Sequence, residues 1–242
     1  IMPGRLGSFT GQESVIGHFF FGFCLIFLSL FIGILVSLNS IYSQEEVYSF
    51  ISKENNSINR VISDDNYVVL TSYTAESSKF LKTIGGYYKK EGNKFIIDLE
   101  FNSNYKNDSI SNYELLMNDS WNKISLKKND LNGKWLMAGR VRNGKEQRRS
   151  LDRSRKTMKF LINGYFQWIA FNTETFQFSG SGGGTYETKN GNYTETIEYF
   201  SRDDSRVGLN LKFNYDIINK EWNHMGLSSK GDPIHEIWVN RK

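Results

Sequence analysis

The chain has 242 residues, with 30 Lys and Arg against 26 Asp and Glu for a formal net charge of +4, and aromatic side chains make up 15% of it. That length holds one large β domain or two small ones. A single cysteine, Cys24, and two prolines, Pro3 and Pro233, exclude an internal disulfide framework and a proline-rich linker.

Residues 18–38, "HFFFGFCLIFLSLFIGILVSL", carry no charged side chain apart from His18 at the edge. About 20 apolar residues suffice to span a bilayer. The polar flank "NSIYSQEEV", with small Ser43 before Gln44, has the pattern of a signal-peptide cleavage site. Residues 1–43 are therefore read as a signal peptide or membrane anchor, with cleavage before Gln44 expected. The remainder is expected to be exported, to the periplasm or as a secreted protein of the cell envelope. Membrane association follows only if the leader stays uncleaved. Cys24 lies inside the apolar run with more apolar residues after it, unlike a lipidated cysteine, so the mature chain is left without thiol chemistry.

Past the leader, aromatic and β-branched residues alternate with Asn and Gly turns, which favours strands. Residues 66–101, "NYVVLTSYTAESSKFLKTIGGYYKKEGNKFIIDLEF", parallel residues 164–200, "GYFQWIAFNTETFQFSGSGGGTYETKNGNYTETIEYF". Each reads as a strand, a polar turn, a strand with paired glycines, a tight turn and another strand. Gly92-Asn93 and Gly191-Asn192 supply the positive-φ turn chemistry, and both stretches later reach Trp-Asn, at Trp121-Asn122 and Trp222-Asn223. A repeat of this length predicts two tandem antiparallel meanders, a reduced one over residues 44–128 and a complete one over 131–242. Along "YFQWIAF", Tyr165, Gln167, Ile169 and Phe171 share one face and Phe166, Trp168 and Ala170 the other. In "LKFNYDI", Leu211, Phe213, Tyr215 and Ile217 face one way and Lys212, Asn214 and Asp216 face water. Closing such a sheet into a barrel removes its edges, and the fold class is all-β.

The second meander opens with "LNGKWLMAGRV" and closes with "PIHEIWVNRK". A Gly-x-Trp entering the first strand and an Arg after the last one resemble the lipocalin signature. The resemblance implies that Trp135, next to Gly133, plugs the closed end of a barrel and that Arg241 packs across it. The segments "GGGTY", "SRDDSRVG" and "GLSSKGDP" resemble, more specifically, a family of exported lipocalin-like proteins of Gram-negative bacteria that often carry two domains in tandem. Residues 131–242 match it as a complete domain and the preceding ones as a degenerate first copy. The resemblance implies a fold and an export route, and no catalytic residues or cofactor.

Three groups of residues are candidates for chemistry. Residues 140–159, "RVRNGKEQRRSLDRSRKTMK", hold nine Lys and Arg against two acids. They read either as a solvated loop or as a cationic lid over the barrel mouth, with Arg148, Arg149, Arg153 and Arg155 holding an anionic head group. The run has no aromatic for base stacking, which with export argues against nucleic acid as a partner. Among the aromatics of the second meander, Phe166, Trp168 and Phe171 either line a ligand cavity or fill a solid barrel. His224 and His235 lie near Asp232 and Glu236, but their spacing matches no metal-ligand pattern. Glu195 and Glu198 alternate onto opposite faces and form no ready acid–base pair. The reading is a non-catalytic protein that binds a small apolar or amphiphilic molecule. The alternatives are a structural module of the envelope with solid barrels, and an enzyme of a reaction the sequence does not name.

Overall fold

Strand follows strand through residues 44–228 and 231–241, which the computed structural model describes; the expected leader, residues 1–43, lies outside them. The first half runs β1 (Glu46–Ser52), β2 (Ser57–Ser63), β3 (Tyr67–Thr74), β4 (Phe80–Glu91), β5 (Lys94–Asn102), a single helical turn at Tyr105–Asp108, β6 (Asn112–Leu116) and β7 (Asn122–Ile124). These seven strands form an open antiparallel sheet in the order β6-β5-β4-β3-β2-β1-β7. The second half runs β8 (Gly133–Arg142), β9 (Lys145–Arg148), β10 (Arg155–Ile162), β11 (Tyr165–Asn172), β12 (Phe178–Lys189), β13 (Asn192–Phe200), β14 (Asn210–Ile218), β15 (Glu221–Leu227) and β16 (Pro233–Asn240). Pairing of β10 with β8, Met158 opposite Leu136 and Lys159 opposite Trp135, closes eight of them into an antiparallel barrel. Strand β9 is a hairpin partner of β8 outside the closure.

The halves are built to one plan. Strands β3, β4 and β5 begin at 67, 80 and 94, and β11, β12 and β13 at 165, 178 and 192, a constant step of 98. The β-bulges obey the same step: Ser72/Tyr73 matches Ala170/Phe171, and Gly85/Gly86 matches Gly183/Gly184. The step also corrects one turn. The hairpin between β12 and β13 turns on Asn190 and Gly191, both at positive φ (51° and 75°), and Asn192 already pairs with Lys189. Its counterpart between β4 and β5 is Gly92-Asn93, so Asn and Gly stand in opposite order in the two copies.

One face of the open sheet packs against the outside of the barrel. Val47, Ile62, Tyr67, Val69 and Phe101 meet Leu136, Met158, Phe160, Ile162, Ile169 and Phe171 in a single buried cluster. Phe80 stacks on Phe178, its own counterpart one step along, at 5.6 Å. Two ion pairs cross the seam in matching positions. Glu198 pairs with Arg60 at 2.9 Å, with that guanidinium 4.5 Å over Tyr165. Glu100, one step earlier, pairs with Arg241 at 2.6 Å, with that guanidinium 5.2 Å from Tyr67. Arg241 therefore does not serve as the lipocalin resemblance implies: it reaches outward to the other sheet rather than across Trp135. Trp135 itself is buried, donates from Nε1 to the Leu131 carbonyl at 2.7 Å and meets Trp222 edge-on at 5.7 Å. Gly133 enters β8 at φ +136°.

Candidate functional site: the interior of the barrel

The barrel's inner face is graded. Its closed half is apolar and aromatic: Leu131, Trp135, Leu161, Tyr186, Trp222 and Trp238. Above them the strand alternation turns two charged side chains inward, Lys159 from β10 and Glu195 from β13. Lys159 Nζ donates to Glu195 Oε1 at 2.6 Å, and both side chains are less than a tenth exposed. The Tyr193 hydroxyl donates to the same oxygen at 2.7 Å. Burial, and then Glu195, raise the Tyr193 phenol well above its ordinary value, so it stays a donor. Around the ammonium lie the rings of Tyr193, Trp222, Trp238 and Phe213, between 5.0 and 5.7 Å away, where burial strengthens cation–π attraction.

A second buried pair sits beside it. His224 on β15 lies opposite Glu236 on β16, with Nδ1 3.4 Å from a carboxylate oxygen. Burial, and next the positive charge of Lys159, push the imidazole down to about 4 despite the Glu236 bond. The ring is therefore neutral at neutral pH. Burial works to raise the Glu236 carboxyl, yet the His224 bond and the charges of Lys159 and Arg140 hold it below the ordinary range. Arg140 approaches Glu236 at 3.5 Å. Among the described residues His224 Nε2, Trp222 Nε1 and Trp238 Nε1 are buried without a hydrogen-bond partner, a concentration of unmet polar atoms that ordinary cores avoid.

From the Lys159–Glu195 pair outward the barrel is hollow. A cavity of about 720 Å³ runs past Phe166, Trp168, Ile197, Phe200, Leu211 and Phe213 to a rim that includes Arg140, Arg142 and Arg202. Two glycines of "GSGGG" make room for this wall: a Cβ at Gly182 would stand 2.5 Å from the Phe200 ring, and one at Gly180 2.5 Å from Arg202 Nε. Phe200 stacks on Trp168 at 6.1 Å, and the Arg202 guanidinium lies 5.5 Å from the same indole while donating to the Ser179 carbonyl. Asp203 takes Arg206 at 3.1 Å instead. A second hollow, about 590 Å³, lies along the outside of the barrel between residues 126–129 and strands β12 and β13 and has no comparable buried charge.

The residues singled out in the sequence divide accordingly. Phe166 and Trp168 line the cavity. Phe171 does not: it lies on the opposite face of β11, 4.9 Å from Phe101 in the seam between the sheets. None of Arg148, Arg149, Arg153 and Arg155 lines it either. Arg148, on β9, makes a two-pronged pair with Glu221 at 2.8 Å, and Arg149, Arg153 and Arg155 surround a shallow cleft beside Leu136 and Met137. The basic residues at the cavity are the two ends of that run, Arg140, Arg142 and Lys159, together with Arg202. His235 bonds Asn223 at 3.0 Å, and Glu198 faces the seam. Sequence reading missed the inward turn of Lys159, although its place within "MKFLI" held a signal: the lysine shares its face of the strand with apolar Leu161, and the opposite face carries Met158 and Phe160, so neither face is wholly polar.

No family model matches the chain, and no curated protein is similar to it.

Proposed function

We propose that the barrel is a non-catalytic binding module for a small anionic amphiphile, carried on an exported protein that resembles lipocalin-like proteins. The observation that carries this reading is the cavity: its volume falls in the range of small-molecule sites, and its apolar wall with a few placed polar groups is the usual composition of one. The arginines at its rim favour an anionic head group by charge-assisted hydrogen bonds, and Arg142 makes no ion pair among the described residues. Among the described residues Lys159 is held by Glu195 and His224 by Glu236, and this favours binding over catalysis.

The test is a titration followed by tryptophan fluorescence, with anionic and zwitterionic amphiphiles matched in chain length. Trp168 lines the cavity, so binding is expected to shift its emission, and Trp168→Phe to abolish most of the change. Arg142→Gln with Arg202→Gln is expected to weaken the anionic ligand about tenfold or more, and the difference is expected to shrink as salt rises. Equal affinity for the two head groups, or no fluorescence change with either, would overturn the reading.

A further inference from the structure

The floor of the cavity has polar atoms without a full set of partners among the described residues. Among the described residues Lys159 Nζ makes one hydrogen bond, to Glu195 Oε1, out of the three an ammonium donates. Glu195 Oε1 takes both the ammonium and the Tyr193 hydroxyl, while its second oxygen has no partner among the described residues. Both side chains line the cavity. The pair is internally neutralised, so it presents no net charge to a ligand; it presents a donor and an acceptor side by side. A hydroxyl fits that arrangement, because it accepts from the ammonium and donates to the carboxylate at once. A second carboxylate does not fit, since it would face Glu195.

The open sheet shows that the fold does not require these charges. One step of 98 before Lys159, Glu195 and Tyr193 stand Val61, Ile97 and Phe95, all buried in one apolar cluster. An ion pair taken out of water is on average no more stabilising than well-packed apolar residues in its place. The barrel therefore keeps Lys159 and Glu195 at positions where the same architecture is content with Val and Ile. Gly182 likewise stands where the open sheet has the buried Ile84. The polar floor and the space above it occur together, in the copy that is hollow.

We infer that the ligand is two-ended: an anionic group at the arginine rim, an apolar middle along Trp168 and Phe200, and a hydroxyl at the far end seated between Lys159 and Glu195. This rests on the reading of the barrel as an amphiphile-binding module and adds the chemistry of the ligand's buried end. Long-chain ω-hydroxy acids are the simplest molecules of that class.

The experiment is a set of fluorescence titrations of the wild-type chain with saturated fatty acids of increasing length, their ω-hydroxy counterparts and the corresponding ω-methoxy acids. At the best-fitting length the hydroxy acid is expected to bind about tenfold more tightly than the plain acid. The methoxy acid, which accepts but does not donate, is expected to lose that advantage. In Lys159→Val/Glu195→Ile, whose new residues are those the open sheet uses, the order is expected to reverse, with the plain acid preferred. Plain and hydroxy acids binding equally well to the wild type would overturn this inference while leaving the amphiphile reading intact. So would a methoxy acid as tight as the hydroxy acid, a comparison that needs no variant to fold. No binding of any of the acids would overturn both.

Discussion

The open sheet and the barrel share the lengths of three successive strands, β3 to β5 and β11 to β13, with their bulges and a fixed step in sequence, and differ in what fills their concave faces. In the open sheet Val61, Ile84, Phe95, Ile97, Leu99 and Trp121 form a dry cluster, helped by Phe50 stacking on Trp121 at 4.9 Å. In the barrel the counterparts of Val61, Ile97 and Ile84 are Lys159, Glu195 and Gly182: two are charged and one has no side chain. A sheet that stays open has to cover its concave face with its own side chains. A closed barrel shields its interior with its own wall and can leave part of it unfilled by side chains. The difference teaches that the barrel's polar floor is not a folding requirement of this architecture, which points to recognition as the reason for keeping it.

The sharpest way to break the comparison is to separate the charged pair. Glu195→Ile leaves the Lys159 ammonium buried without its carboxylate, and removing one partner of a buried pair costs ~3–5 kcal/mol. Restoring the open sheet's chemistry in full, with Lys159→Val added, is expected to recover most of that loss and to end near or above wild-type stability. Denaturant unfolding of the three proteins measures both steps. A double variant as unstable as the single one would show that the two concave faces are not interchangeable, and the argument from Val61 and Ile97 would fall with it.

Much of the architecture is legible in the sequence because turns and glycine pairs punctuate it. The repeat of Gly-rich strand, Asn/Gly turn and aromatic strand between residues 66–101 and 164–200 already implies two meanders. What cannot be read is how they meet. Strand β10 is buried on both faces, Lys159 and Leu161 inward and Met158, Phe160 and Ile162 against the other sheet, so the alternation that would mark its inner face is lost. Lys159 consequently reads as the tail of a basic loop. Phe171 shows the reverse: its face was correctly separated from that of Phe166 and Trp168, but nothing local says that the other face is also buried, against a sheet a hundred residues away. The arginines fail for a third reason. A count of charge along residues 140–159 ignores partners such as Glu221 that the fold supplies from elsewhere.

Acid sharpens the comparison, because His224 belongs to the barrel's buried polar set and the open sheet's concave cluster contains no histidine. The imidazole is pushed from an ordinary value of 6.5 to about 4 in the folded chain. Between these values the unfolded chain binds the proton and the folded chain does not, so stability rises with pH across the window. The full effect is absent above about 6.5 and complete below about 4, and a shift of this size corresponds to ~3 kcal/mol. Lys159, Glu195 and Glu236 all face the ring. Glu236, held below the ordinary 4.5, acts in the same direction but only below that value. Stability measured from pH 4 to 7 is expected to slope upward in the wild type and to flatten in His224→Leu. An unchanged slope in the variant would assign the acid sensitivity to other groups.

The smallest effect is expected at the solvated ion pairs that both halves carry. Arg148 on β9 grips Glu221 with both nitrogens at 2.8 Å, yet it is 44% exposed. Lys94 and Glu114 on the open sheet make a comparable surface pair at 2.9 Å. Exposed pairs of this kind contribute little, because water and salt screen the attraction and two long side chains must be held still. Arg148→Gln is therefore expected to shift the thermal melt slightly and to leave the affinity for an anionic amphiphile unchanged, in contrast to substitution of Arg142 and Arg202. The contrast separates two meanings of a basic stretch. If Arg148→Gln weakened the ligand as much as the rim variants do, the whole run from 140 to 159 would act as one electrostatic surface over the mouth. If it does not, only the residues that strand geometry brings to the cavity take part: Arg140 and Arg142 at one end of the run and Lys159 at the other.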